Sequence, residues 1–208
     1  DKIIQLGDDS VLAQRGRPSA SMIDCVFRAA GHEPKTKVHS ASSYDEVTFC
    51  SSRFWRVGEG RRILGNMPFR TLHKTFISTD NTLRQKDMPG YVAGIARGYK
   101  HNSWLPVLGT VMQTIVLSAE KQSIETKTSR ASVNPYKITM SNIDYDIDQG
   151  EVASHFFAVY HMDIETFAYV KEVDWLKPGI EWDLPFMRQG LQIDGLAKED
   201  IDPEQSHP

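Results

Sequence analysis

Two short apolar runs on either side of Gly7-Asp8-Asp9 are the feature that most constrains the fold. The segment from Ile3 to Leu12 leaves so few residues between the runs that the chain must reverse direction there. A glycine supplies the positive φ of such a turn without steric cost. The pattern therefore predicts a β-hairpin with adjacent carboxylates at its tip. Such oxygen ligands suit Mg²⁺, and a solvated turn without a ligand is the alternative interpretation.

The composition is that of an ordinary globular protein and gives little overall preference for a partner. The formal net charge of −3 provides no general attraction to nucleic acid or to a membrane surface. Cys25 and Cys50 are the only cysteines of the sequence, and without a signal peptide they favour a reducing compartment. The chain opens on Asp1 directly into a predicted strand, which indicates a fragment of a larger polypeptide or a processed product.

Hydrophobic periodicity predicts an α+β fold, with early strands and one helix followed by a helical region. A helix is expected from Ser19 or Ser21 to Gly31. A strand is expected over residues 46–50, and residues 61–64 are expected to return from a turn at Gly58.

The second half of the chain is expected to be mainly helical. Helices are expected to start at Pro68, at Asp87 or Pro89, and at Asn102 or Ser103. Two further helices are expected over residues 151–160 and 164–173.

Residues 53–101 form a basic segment, in which ten arginines and lysines outweigh three acidic residues. The aromatic residues Phe54, Trp55, Phe69 and Tyr91 are interleaved with these cations. This composition is typical of a groove that follows the backbone of single-stranded RNA. A merely solvated charged face is the alternative.

Three segments resemble, in the usual order, palm motifs of the RNA-dependent RNA polymerases of positive-strand RNA viruses. Gly7-Asp8-Asp9 looks like motif C, and residues 32–37 after the predicted helix resemble motif D. Residues 45–52, Asp-Glu-Val-Thr-Phe-Cys-Ser-Ser, resemble motif E, the primer grip. The remaining chain is similar to a polymerase thumb only in its expected architecture.

The resemblance implies the C-terminal part of a right-hand polymerase palm followed by a mostly helical thumb. The palm segment would cover residues 1–66 and the thumb residues 67–195, and residues 196–208 would be a frayed acidic tail.

The resemblance also implies the site residues. Asp8 would bind metal directly and Asp9 would support the same site, which would hold two ions of Mg²⁺ or Mn²⁺. Gly7 would shape the turn between the strands. Lys37 would act as general acid toward the departing pyrophosphate, with Lys35 as its competitor.

A further set of residues would contact RNA. The primer-grip residues are Cys50, Ser51 and Ser52, which would touch the 3′ end of the nascent strand. The expected contacts of the basic segment are Arg62, Arg70, Lys74, Arg97 and Lys100.

The implied function is template-directed RNA synthesis, with an RNA template, a nascent strand and nucleoside triphosphates as partners. The chain would be incomplete alone, because the fingers and motifs A, B and F would have to lie upstream or on another chain. The expected location is the host cytoplasm, in a viral replication complex that reaches the membrane through other parts. A non-catalytic RNA-binding or assembly module is the alternative, and an unrelated cytosolic regulator is a third possibility.

Overall fold

The structure, a computed structural model, describes residues 2–6, 9–13, 15–16, 19–77, 83–126, 146–177 and 184–196. Within these residues the protein is α+β, with six α-helices, a two-stranded sheet and a three-stranded antiparallel sheet. The chain divides into two compact units, residues 1–54 and residues 55–208. The division into palm and thumb after residue 66 stays a prediction.

The first unit begins with the predicted hairpin. Strands β1 (Lys2–Leu6) and β2 (Asp9–Ala13) are antiparallel, and Leu6 pairs with Asp9. Helix α1 (Ala20–Ala29) follows as predicted, with Ser19 at its N-cap and Gly31 at a φ of +85° just beyond its end. That glycine conformation is the common way for a helix to stop.

The strand predicted over residues 46–50 is wrong at both ends. Residues Ala41–Glu46 form a 3-10 helix, because Ser40 and Ser43 form a reciprocal capping box. Strand β3 is therefore limited to Thr48–Phe49 and pairs with β4 (Ser52–Arg56). Cys50 does not close the strand and lies instead in the turn that follows it.

Helix α1 is amphipathic, yet its apolar face is open to solvent. The exposed fractions are 63% for Met22, 65% for Val26 and 44% for Phe27. Ile3 and Leu12 of the hairpin are also exposed. Helices of this kind normally gain most of their stability from packing of the apolar face. Among the described residues of the first unit, only Phe49, Arg53 and Phe54 are buried.

The second unit contains the end of β4 from Trp55, the neighbouring strand β5 (Arg62–Asn66), which is the predicted return strand, and five α-helices within its described residues. The helices are α2 (Pro68–Thr75), α3 (Met88–Gly98), α4 (Leu108–Lys121), α5 (Gln149–Tyr160) and α6 (Pro185–Ile193). No helix in the described ranges combines the length and apolar character needed to cross a membrane.

Two predicted elements of the second unit differ from the structure. The helix predicted over residues 164–173 is a 3-10 helix, Ile164–Lys171, whose first turn is capped by the Asp163 side chain. Helix α4 is not capped by Asn102 or Ser103, because the Asn102 amide is hydrogen-bonded to Asn66. The helix follows a γ-turn at Val107, where φ is +62° and the Leu108 N–H donates to the Pro106 carbonyl at 2.6 Å.

The core of the second unit is built around stacked and edge-on aromatic rings. Tyr160 lies at its centre, with ring centroids 4.8 Å from Phe156, 5.1 Å from Phe69 and 6.4 Å from Trp55. All four side chains are fully buried. Aromatic pairs at these distances add about 0.5–1.5 kcal/mol each beyond the burial of their area.

A buried carboxylate, Asp194, joins three helices around this core. Its Oδ2 accepts hydrogen bonds from the backbone N–H groups of Phe69 at 3.1 Å and Arg70 at 3.0 Å, at the N-terminus of α2. Its Oδ1 accepts the Tyr160 hydroxyl of α5 at 2.6 Å. Asp194 itself directly follows α6. It therefore caps α2 from a distant part of the chain, where the N–H groups of the first turn have no partner within their own helix.

We expect Asp194→Ala to lower the free energy of unfolding of the second unit by about 3 kcal/mol, because buried donors would lose a charged acceptor. Tyr160→Phe removes one of those donors and keeps the ring, so it should cost about 1–1.5 kcal/mol. Urea unfolding followed by the fluorescence of buried Trp55 and Trp175 measures both changes. The exposed Glu165→Gln is the control, and equal stability of all variants would contradict this role of Asp194.

A matched pair of helical glycines tests the packing of α6 against α2. A Cβ on Gly190 would overlap the Phe69 ring, whereas a Cβ on Gly98 would meet nothing within 4 Å. We expect Gly190→Ala to destabilise the protein by about 3 kcal/mol or more from overpacking. Gly98→Ala should stabilise it by about 0.5–1 kcal/mol through helix propensity. Thermal unfolding of both variants measures these changes. A higher unfolding temperature for Gly190→Ala would refute the close approach of Gly190 to the Phe69 ring.

Candidate active site

The candidate active site begins at the hairpin of the first unit. Asp9 is the first residue of β2, and its side chain is exposed. Gly7 and Asp8, which were predicted as the turn glycine and the direct metal ligand, lie outside the described residues. The structure therefore places one of the two predicted carboxylates.

The predicted primer-grip segment forms a tight turn between β3 and β4. Phe49 pairs with Ser52, so the connection consists of Cys50 and Ser51 alone. Both have positive φ, +49° and +59°, as a type I′ hairpin turn requires. Asn and Gly are the residues usually found there, and a different residue costs about 1–2 kcal/mol in this region.

The turn brings Cys50 to the hairpin. Its thiol donates a hydrogen bond to Oδ2 of Asp9, with a distance of 3.4 Å between sulfur and oxygen, although the residues are 41 positions apart in sequence. Strand β2 also contacts β3, which precedes the turn. Two segments that resemble different polymerase motifs therefore meet in one place within the first unit.

The side chains at the Cys50–Asp9 contact supply part of the ligand set that a magnesium or manganese ion needs. The exposed Asp9 carboxylate is a hard oxygen donor of the kind that Mg²⁺ prefers. In the described part of the chain, no group of three or more His, Cys, Asp and Glu side chains is placed to hold a metal ion. Asp8 would add the second carboxylate.

Lys35 and Lys37 follow α1 on an irregular segment, and both side chains are exposed. Such lysines can reach a phosphate as flexible point charges. Among the described residues, no contact distinguishes Lys37 from Lys35 as the proton donor.

The predicted cations of the second unit lie on several elements. Arg62 opens β5 and Lys74 lies in α2, and both are exposed, while Arg70 in α2 is half-buried. Arg97 in α3 is exposed but paired, since its guanidinium lies 3.4 Å from Glu120. The side chain of Lys100 lies outside the described residues.

Other arginines of the basic segment also have partners, and one is buried. Arg61 donates to the backbone carbonyl of Asp146 at 2.8 Å, and Arg84 pairs with Asp87 at 3.0 Å. Arg53 is 5% exposed. The segment is therefore less available to phosphates than its composition indicates.

Three of the four aromatic residues that the sequence places among the cations of the basic segment are buried. Phe54, Trp55 and Phe69 are buried, and Trp55 and Phe69 belong to the core of the second unit. The expectation that interleaved aromatics line an RNA groove is wrong for these three residues. Tyr91 is half-buried. Burial also raises the pKa of the Tyr99 phenol.

Sequence reasoning did not find the Cys50–Asp9 contact or the cap formed by Asp194. It also missed buried His155, whose Nδ1 accepts the Arg56 backbone N–H at 3.0 Å. A short-range pattern contains no signal for any of them, because each joins distant parts of the chain. The positive φ of Cys50 and Ser51 likewise has no signal, since neither residue is typical of that turn.

Comparison with known proteins adds no relative: no family model matches the chain, and no curated protein or solved structure matches it either.

The Arg97–Glu120 pair allows a test of the predicted RNA contacts. If Arg97 faces RNA, Glu120→Gln should release its guanidinium and strengthen binding of single-stranded RNA. The gain should be about two- to fivefold, because an exposed pair is worth about 0–1 kcal/mol. Fluorescence anisotropy with a labelled RNA over a series of salt concentrations measures the change.

Glu125→Gln is the matched control, because it removes the same charge from an exposed position a few residues away. Equal affinities of the Glu120 and Glu125 variants would show that Arg97 does not contact RNA. Arg97→Gln should then also leave the salt dependence of binding unchanged.

Proposed function

We propose that the chain takes part in template-directed RNA synthesis as the C-terminal palm and thumb of a viral RNA-dependent RNA polymerase of the positive-strand type. The contact between Cys50 and Asp9 is the observation that carries this proposal. The motif C and motif E resemblances rest on separate segments of sequence. A functional site would need both segments in one place, and the contact is consistent with that need.

The proposed reaction is nucleotidyl transfer, in which Asp8 and Asp9 hold two ions of Mg²⁺ or Mn²⁺. Ions bound there would stabilise the attacking and leaving oxygens of the transfer. Lys37, exposed after α1, would provide a proton or a positive charge to the pyrophosphate. Cys50, Ser51 and Ser52 would position the 3′ end of the nascent strand.

The exposed apolar surface of the first unit supports a requirement for additional palm structure. Met22, Val26 and Phe27 form an uncovered face on α1, and a large apolar patch of this kind usually marks a contact with other protein. The remaining polymerase segment, with the fingers and motifs A, B and F, would cover it from upstream or from another chain. RNA and nucleoside triphosphates would bind to that complete enzyme, in a replication complex attached to the membrane by other parts.

A non-catalytic RNA-binding or assembly module is the second candidate. The pairing of Arg61, Arg84 and Arg97 with acidic side chains or backbone favours the assembly role of this candidate, because an RNA groove would leave such cations available. In that case the exposed face of α1 would serve assembly, and the hairpin would be a solvated turn. The two candidates differ in their need for a divalent ion.

Primer extension tests the proposed activity. The chain is combined with a polypeptide that supplies the remaining palm and fingers, a short primed RNA template, nucleoside triphosphates and Mg²⁺. We expect extension by the wild type and a loss of at least about a thousandfold for Asp8→Ala, because the transition-state charge would lose a metal ligand. RNA binding should remain unchanged.

Glu172→Gln, an exposed carboxylate of the second unit, is the control for loss of one negative charge and should extend like the wild type. Extension by Asp8→Ala at the wild-type rate would refute the metal role. RNA binding without extension by any variant, at any Mg²⁺ or Mn²⁺ concentration, would favour the assembly module.

A further inference from the structure

We propose that Cys50 is a positioning residue for the Asp9 carboxylate: its thiol orients this group for a divalent ion and is not itself a ligand. The inference rests on the proposed function, because it assigns a role within the same metal site. It concerns two described side chains of the first unit.

The geometry of the contact carries the inference. The Cys50 sulfur lies 3.4 Å from Oδ2 of Asp9, with the thiol as donor. A hydrogen bond to one oxygen restricts rotation of the carboxylate and so orients its second oxygen. Partners behind a metal ligand act in this way, and their loss weakens metal binding although they never touch the ion.

The turn holds the thiol in place. Cys50 and Ser51 are both in the left-handed region, and the two-residue turn fixes their backbone and with it the direction of each Cα–Cβ bond. Glycine or asparagine would fit this backbone better, so the presence of cysteine is consistent with a requirement for its side chain.

The chemistry of the thiol suits a positioning role better than a ligand role. Mg²⁺ and Mn²⁺ prefer oxygen donors, whereas thiolates select softer metals. A thiol is a weak hydrogen-bond donor, and serine keeps a donor at the same position. The Cys50→Ser variant therefore retains the proposed interaction, whereas Cys50→Ala removes it.

Paramagnetic line broadening by Mn²⁺ tests the proposal without measuring activity. The isotopically labelled full chain is titrated with Mn²⁺ while the amide signals of residues 9–13 and 48–52 are followed. Wild type should show local broadening, and Asp8→Ala should lose it. Cys50→Ala should raise the Mn²⁺ concentration at half-broadening by about tenfold, the low end of the cost of losing such a partner.

Two further variants separate positioning from a general structural effect. Cys50→Ser should stay close to wild type, because it restores the donor. Cys25→Ala alters the other cysteine, which is exposed on α1, and should change nothing. Unfolding curves of all variants show whether a shift reflects loss of structure.

Each remaining outcome overturns the inference in a distinguishable way. Equal half-broadening for Cys50→Ala and wild type refutes the positioning role but leaves the metal site intact, provided Asp8→Ala still loses broadening. Equal weakening by Cys50→Ser and Cys50→Ala shows that the donor is not the cause. Absence of local broadening in the wild type overturns both this inference and the metal site of the proposed function.

Discussion

The buried carboxylate of Asp194 is the interaction on which the second unit depends. It accepts two backbone N–H groups at the start of α2 and the Tyr160 hydroxyl of α5, and it lies directly after α6. A buried carboxylate is costly unless such donors surround it. Because these donors come from separate helices, the carboxylate is satisfied only when those helices are assembled. The aromatic rings around Tyr160 pack between the helices that Asp194 joins.

The two units differ in how much of their own apolar surface they bury. The second unit buries an aromatic and aliphatic core that includes residues from every one of its helices. The first unit has an amphipathic helix whose apolar side is exposed, and few of its described residues are buried. Local helix propensity and capping rarely stabilise a helix of this length without packing. A partner for α1 is therefore a physical requirement of the proposed palm, independent of any catalytic role.

Local patterns were sufficient to predict the elements whose ends are set by neighbouring residues. The hairpin follows from apolar runs and a short connection, and α3 begins at Met88, with Asp87 at its N-cap and Pro89 in its first turn, as capping preferences predict. The errors arise where a competing local interaction prevails. The Ser40–Ser43 capping box replaces part of a predicted strand, and the Asn102–Asn66 contact removes Asn102 as a helix cap. Apolar periodicity also could not predict that the apolar face of α1 is exposed, because periodicity identifies such a face but not whether another element packs against it.

The two carboxylates that matter most here, Asp9 and Asp194, show why the site is harder to predict than the fold. Sequence presents them as the same residue type, each near a glycine. Asp194 is buried and surrounded by strong donors, so its charge is used within the fold. Asp9 is exposed with a weak thiol donor beside it, so its carboxylate stays accessible for the metal role that we propose. The donors to the two carboxylates lie 34 to 125 positions away in sequence. Only the tertiary structure therefore distinguishes Asp194, which stabilises the fold, from Asp9, the proposed metal ligand.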